Sequence, residues 1–124
     1  MDELDVSQEM IRLTLTLLMV VFVTGCLGTD CENEPSAEIV SPDGTKKIVL
    51  FSRNCGATTG FNLQGSILNR TEDLPNEAGT AFIADENTAK IVWQDDTKLV
   101  VTFEPGVEVF KKATSCRGVA IEYR

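Results

Sequence analysis

An all-β fold, a small antiparallel meander forming a sandwich or a partly open barrel, is what this 124-residue chain predicts beyond its N-terminal segment. Three observations carry the expectation. Short runs rich in β-branched and aromatic residues recur: Ala37 to Ser41, Lys46 to Arg53, Phe61 to Asn69, Thr80 to Ala84, Ala89 to Gln94, Lys98 to Glu104, Val107 to Lys112 and Gly118 to Tyr123. Nearly every link between them contains Gly, Pro, Asp or Asn, the residues of tight turns. No stretch beyond Cys31 keeps a 3.6-residue apolar period, so a helix there would have no face to bury.

The N-terminal segment follows different rules. Leu13 to Val23 read L-T-L-T-L-L-M-V-V-F-V, uncharged and mostly apolar. Spanning a ~30 Å hydrocarbon core takes about 20 residues, so this run is too short to cross a membrane. It suits the hydrophobic, helical part of a secretory signal. It ends in Val23-Thr24-Gly25-Cys26, an apolar residue, two small ones and a cysteine. This resembles the lipobox of bacterial lipoproteins. The resemblance implies that a peptidase cuts between Gly25 and Cys26, that the Cys26 thiol carries diacylglycerol, and that acyl chains such as palmitate hold the protein to the membrane. Each buried methylene contributes ~0.8 kcal/mol and one chain holds only marginally, so two or more chains anchor stably. The opening M-D-E-L-D-V-S-Q-E is acidic where a signal should be basic. Initiation at Met10 resolves the conflict, because Arg12 then supplies the positive charge. The expected plan is a signal over 1–25, a lipidated tether over 26–36 and one all-β domain over 37–124. Leu27, rather than Asp, after the cysteine is compatible with the outer membrane where an organism has two.

The remaining cysteines, Cys31, Cys55 and Cys116, permit three pairings. Export to an oxidising space allows one disulfide and leaves one thiol. Ser41-Pro42-Asp43-Gly44 is a strong hairpin turn: Pro presets φ, Asp suits the next position and Gly supplies a positive φ. If Ser41 faces Thr45, the continuing ladder brings Cys31 opposite Cys55, with Pro35 and a possible bulge as the obstacles. Register therefore favours Cys31 with Cys55. Zinc is not expected, since the chain has no His and no C-x2-C pair.

Alternation marks the core faces: Leu63 and Ile67 with Phe61 and Gly65, then Ile91 with Trp93, Leu99 with Val101 and Phe103, and Val119 with Ile121 and Tyr123. Val107 and Phe110 share a face only across a bulge. The hairpins around S-P-D-G and Q-D-D-T look like those of β-propeller blades, yet the length cannot supply four blades of about 40 residues. More specifically, C-E-N-E, S-P-D-G, N-C-G-A-T-T-G-F-N, the W-Q-D-D-T-K-L hairpin and terminal G-V-A-I-E-Y together resemble a functionally uncharacterised family of small exported bacterial proteins. That resemblance spans roughly residues 31 to 123. It implies the same Cys31–Cys55 pair, makes Cys116 an addition, and brings no catalytic residues.

Charge and composition narrow the function. The chain carries -8; four acids and one base lie upstream of Cys26, leaving 10 basic and 15 acidic residues, or -5, beyond it. A domain of that sign lacks the basic footprint for nucleic acid. Without His the commonest general base is missing. Asp85 with Glu86, and Asp95 with Asp96, sit in turns where adjacent side chains point apart, so they read as solvated turn acids. The stretch Cys55 to Phe61 is the candidate binding loop: Gly56 and Gly60 permit unusual φ, and the Thr58 and Thr59 hydroxyls with free backbone N–H groups suit an anion or a peptide edge. The expectation is an extracytoplasmic, lipid-anchored module of the cell envelope that binds an envelope protein partner, is not an enzyme and uses no cofactor or metal. The alternative is a small lipid-anchored inhibitor of a cell-wall-directed hydrolase, acting through that loop.

Overall fold

The computed structural model describes residues 30–56, 60, 62–85 and 88–124. The expected signal over 1–25 with its helix, the cleavage site at Gly25 and Cys26, and Thr58, Thr59, Phe61 and Glu86 lie outside the described residues. Residues 31–124 form one compact unit.

Nine strands make up this unit: β1 (Glu32–Val40), β2 (Lys46–Asn54), β3 (Leu63–Asn69), β4 (Phe82–Ala84), β5 (Lys90–Asp95), β6 (Lys98–Thr102), β7 (Val109–Lys112), β8 (Ser115–Cys116) and β9 (Val119–Tyr123). One sheet has the order β1-β2-β3-β4-β7 and the other β5-β6-β9-β8. The fold is all-β, as the turn-punctuated runs require. It departs from a pure meander in the β4–β7 ladder and in the β6–β9 ladder, where β9 returns parallel to β6, pairing Leu99 with Ile121 and Val101 with Tyr123. Between those strands the chain visits the first sheet as β7, which pairs with β4.

The sheets share one core. Ile48, Leu50, Leu63, Ile67 and Phe82 from the first meet Leu99, Val101, Val119 and Ile121 from the second. These are the alternating positions of their strands, so period-two patterning selects this face. Phe82 meets Phe103 edge to face at 5.3 Å, and Phe103 stacks on Tyr123 at 6.1 Å. Gly65 makes room for the Phe82 ring, since a Cβ there would stand 2.5 Å from Phe82 Cε1.

The first sheet is also covered on its outer face. Val49, Phe51 and Leu68 form a second cluster, closed by Leu74 from the loop after β3. This explains the unbroken apolar run I-V-L-F in β2: both faces of that strand are buried. Trp93 packs against the main core and donates its indole N–H to Ile39 O at 3.0 Å, tying an edge of the second sheet to an edge of the first.

Three boundaries shift. Residues 32–35, expected in the tether, pair with β2, so the folded unit begins at Cys31 rather than Ala37. Cys116 lies in a short strand rather than a bare turn. Arg117 (φ 49°) and Gly118 (φ 78°) form a two-residue link with both φ positive, the twist that joins a tight hairpin, and Cys116 pairs with Val119 across it. Phe110 is skipped in the β4–β7 ladder, where Ile83 faces Lys111 and Ala84 faces Val109; it points outward and is 62% exposed.

A polar cup beside the disulfide

Cys31 and Cys55 are disulfide-bonded, 24 positions apart, and Cys116 is a free, partly buried thiol. The expected pair forms by a different ladder from the one the turn implied. Ser41 closes on Lys46, not Thr45, through Ser41 N–H to Lys46 O at 2.9 Å. Val40 then faces Lys47 and Ala37 faces Leu50. Ser36 is left unopposed at a bulge, its hydroxyl on Leu50 O at 3.2 Å, and Pro35 faces Phe51. The one-residue shift carries Glu32 to Asn54, and the next positions are the two cysteines.

Next to this bond, on the outer face of the first sheet, lies a cup of neutral amides around Arg53. Arg53 follows Val49 and Phe51 on the same face of β2, where the apolar cover by Leu74 ends. Its neighbours are Asn33 on β1 and Asn62 just before β3. Arg53 Nη1 donates to Asn33 Oδ1 at 2.8 Å and to Asn76 Oδ1 at 2.9 Å. Asn33 Nδ2 donates to Pro75 O at 3.0 Å and Glu77 O at 2.8 Å, pinning the β3–β4 loop over the sheet. Asn62 accepts from Arg53 N–H at 2.9 Å and donates to Arg53 O at 2.8 Å and Gly60 O at 3.1 Å. Gln64 donates to Asn62 Oδ1 at 3.1 Å and accepts from Gly79 N–H at 2.7 Å.

A donor count singles out one side of the cup. The Nη1 hydrogens of Arg53 and the Nδ2 hydrogens of Asn33 and Asn62 are used, whereas Arg53 Nε and Nη2 and Asn76 Nδ2 have no partner among the described residues. The ion pairs among those residues are Lys47–Glu38, Arg117–Glu72 and Arg124–Glu122, so no described carboxylate neutralises Arg53. Of the expected loop, Gly56 (φ 128°) donates its N–H to Asn54 Oδ1 at 3.0 Å, and Gly60 holds Asn62; both flank the cup. The amide cluster itself was not anticipated, because Asn33, Arg53, Asn62 and Asn76 are scattered in sequence and only the sheet register joins them.

The other acidic candidates are spent on turns. Asp43 Oδ1 accepts from Ser41 Oγ at 2.7 Å, Thr45 N–H at 3.0 Å and Thr45 Oγ1 at 2.8 Å. Asp95 Oδ1 accepts from Thr97 N–H at 2.8 Å and its hydroxyl at 3.0 Å. The Thr45 N–H and the Ser41 and Thr45 hydroxyls hold the Asp43 carboxyl below its usual pKa, and the Thr97 N–H and hydroxyl do the same for Asp95. Asp96 Oδ1 accepts the Asp43 N–H at 2.7 Å, joining the turns of the two sheets.

A cleft of about 310 Å³ is lined by Phe103, Val107, Val109 and Tyr123 together with Glu104, Lys112 and Arg124. Lys112 Nζ lies 5.6 Å from the Tyr123 ring centroid. The Tyr123 hydroxyl donates toward Ala113 O at 2.8 Å and Ala81 O at 3.0 Å, and burial pushes its pKa up to about 12, with the Cys116 sulfur charge adding to the rise.

Fold and cup together define a small β-sandwich with a disulfide at its first rung and a cluster of hydrogen-bonded side-chain amides beside it. The chain belongs to the family of unknown function (DUF5412), which it matches over residues 8–113. The match includes the apolar N-terminal run and Cys26, extending further upstream than the likeness read from the motifs, and stops short of Cys116. The chain is also similar to a protein named outer membrane protein assembly factor BamB from Francisella salina, at 30% identity over 101 residues. That similarity covers 73% of this chain but 19% of the relative, so the chain spans about a fifth of the relative's length. No solved structure matches.

Proposed function

We propose that this protein is a lipid-anchored lipoprotein of the bacterial cell envelope, serving as a non-catalytic binding module outside the cytoplasm. The Cys31–Cys55 bond carries the reading. Disulfides persist in oxidising compartments, and this one fastens the first rung of the folded unit shortly after Cys26, the cysteine of V-T-G-C. In that arrangement the segment through Gly25 directs export, Cys26 takes the lipid and Cys31 starts the fold. The similarity to a protein named for outer-membrane assembly supports the envelope assignment. The cup supports binding over catalysis, because it offers donors and a fixed cation with no nucleophile among its hydrogen-bonded members.

The test is metabolic labelling of the full chain in a bacterial host with a palmitate analogue. The wild type is expected to take up label and to be shortened so that it begins at Cys26. Cys26→Ser is expected to remain unlabelled and uncut; label on that variant overturns the anchor.

A further inference from the structure

We infer that the Arg53 cup is a binding site for a single carboxylate carried by an otherwise neutral ligand, an inference that rests on the reading of this domain as a binding module. Arg53 Nε and Nη2, without a partner among the described residues, make one edge of a planar guanidinium, and Asn76 Nδ2 belongs to the amide that holds its other corner. Such an edge matches the two oxygens of a carboxylate, forming paired charge-assisted hydrogen bonds.

The guanidinium is held in place before any ligand arrives. Asn33 Oδ1 and Asn76 Oδ1 grip Nη1, and Asn33 is itself fixed by two backbone carbonyls. Little side-chain entropy is then left to lose on binding. The grip uses neutral oxygens, so among the described residues the positive charge is positioned without being neutralised. Lys47, Arg117 and Arg124 are each paired with a glutamate, while Lys46 Nζ and Lys111 Nζ sit on the carbonyls of Arg117 and Gly79. Arg53 is the cation set among side-chain amides.

Charge decides the ligand class. One guanidinium in a neutral cup balances one negative charge, which fits a carboxylate and leaves a phosphate dianion half compensated. The surrounding domain carries -5 beyond Cys26, so a polyanion would be repelled while a lone carboxylate on a neutral body is not. The surrounding amides suit the hydroxyls or peptide groups flanking such a carboxylate. A peptide C-terminus and a sugar acid both present this chemistry.

The test is an NMR titration of the full chain in detergent micelles, following the Arg53 Nε–H and Asn76 Nδ2 signals. The probes are N-acetyl-Ala-Ala, its C-terminal amide, glucuronate, glucose and inorganic phosphate. Saturable shifts with N-acetyl-Ala-Ala or glucuronate, absent with the amide and with glucose, are expected. Tighter binding of the first assigns a peptide C-terminus, and tighter binding of the second assigns a sugar acid. Arg53→Gln should weaken the response about tenfold or more, the loss expected for a charged hydrogen-bond donor. Asn76→Asp gives an independent check, since a carboxylate in place of the amide on Arg53 Nη1 neutralises the guanidinium from within; it should weaken carboxylate binding at least tenfold while the protein melts no earlier than wild type. No shift at Arg53, an equal response to the amide, or a preference for phosphate overturns the inference. These readouts do not depend on lipid at Cys26, so failure here and failure of the anchor are separable.

Discussion

The two ends of the sandwich handle charge in opposite ways. At the end where β1 turns into β2, charged groups consume one another: Asp43 and Asp95 are saturated by their own turns, Asp96 reaches across to the Asp43 N–H, Arg117 forks onto Glu72, and Lys46 Nζ sits on Arg117 O at 2.6 Å. At the end that carries the disulfide, Arg53 is held by neutral amides, and its Nε and Nη2 have no partner among the described residues. The first end is closed on itself, and the second is where the proposed carboxylate would enter. An acidic protein can thus fix a local cation without neutralising it, by anchoring it on amides instead of carboxylates.

Opening the disulfide should separate the ends most strongly. Crosslinking residues 24 positions apart contributes about 3 kcal/mol by loop-closure entropy, and for a domain of this size that corresponds to roughly 15 °C in melting temperature. Cys31→Ala with Cys55→Ala should show that loss in a thermal melt, and Arg53 side-chain signals should broaden before those of Thr45 or Thr97. Simultaneous loss at both ends would mean that the sandwich is one cooperative unit in which the bond does not favour the cup.

Acid should attack the opposite end. The carboxyls of Asp43 and Asp95 are lowered in the folded state by hydrogen bonds from Thr45 and Thr97, and that of Glu72 chiefly by its bond from Arg117. A depressed carboxyl stabilises the fold above its unfolded pKa and loses that contribution as pH falls through the folded one. Urea midpoints are therefore expected to be flat near neutrality and to drop below the ordinary carboxyl values of 3.8 and 4.5. Asp43→Ala should lower the midpoint at neutral pH and shallow the acid slope. Trp93 is the single tryptophan and bonds Ile39 near this turn, so its fluorescence reports the local event. An unchanged acid slope in Asp43→Ala would break the assignment of acid sensitivity to this end.

What could be read from the sequence divides along the same line. The turn end was legible because local chemistry makes it: S-P-D-G and D-D-T state their turns within four residues, and Gly44 takes the positive φ (74°) that its place requires. The core was legible because period two marks it, in Ile48 and Leu50, Leu99 and Val101, Val119 and Ile121. The Cys31–Cys55 pair follows from the sequence although the turn implies a register one residue off. The bulge at Ser36 supplies the missing residue, and a bulge leaves little local trace. β8 was hidden because Arg117 occupies a positive-φ position where Asn, Asp or Gly is usual. The parallel β6–β9 ladder and the amide cup depend on contacts between distant segments, which local propensity does not encode.

The smallest expected effect lies between the ends, at Tyr123, and it sharpens the comparison by showing whether the sheets stay joined while one end loosens. This is the single tyrosine, and its hydroxyl is directed at the carbonyls of Ala113 and Ala81 in the other sheet's neighbourhood. Burial disfavours the phenolate, and the nearby Cys116 sulfur adds to this, which is why the pKa stands at about 12 rather than 10. A raised pKa means the folded state keeps its proton longer than the unfolded chain. The stabilisation is complete below pH 10 and is lost as pH climbs toward 12. Absorbance at the phenolate band should therefore rise late in an alkaline titration of native protein and near the ordinary value in denaturant. Repeating the native titration on the disulfide-free variant discriminates further. A late rise retained there would place the damage at the cup end alone, whereas a normal pKa would mean that opening the Cys31–Cys55 bond releases the strand junction as well.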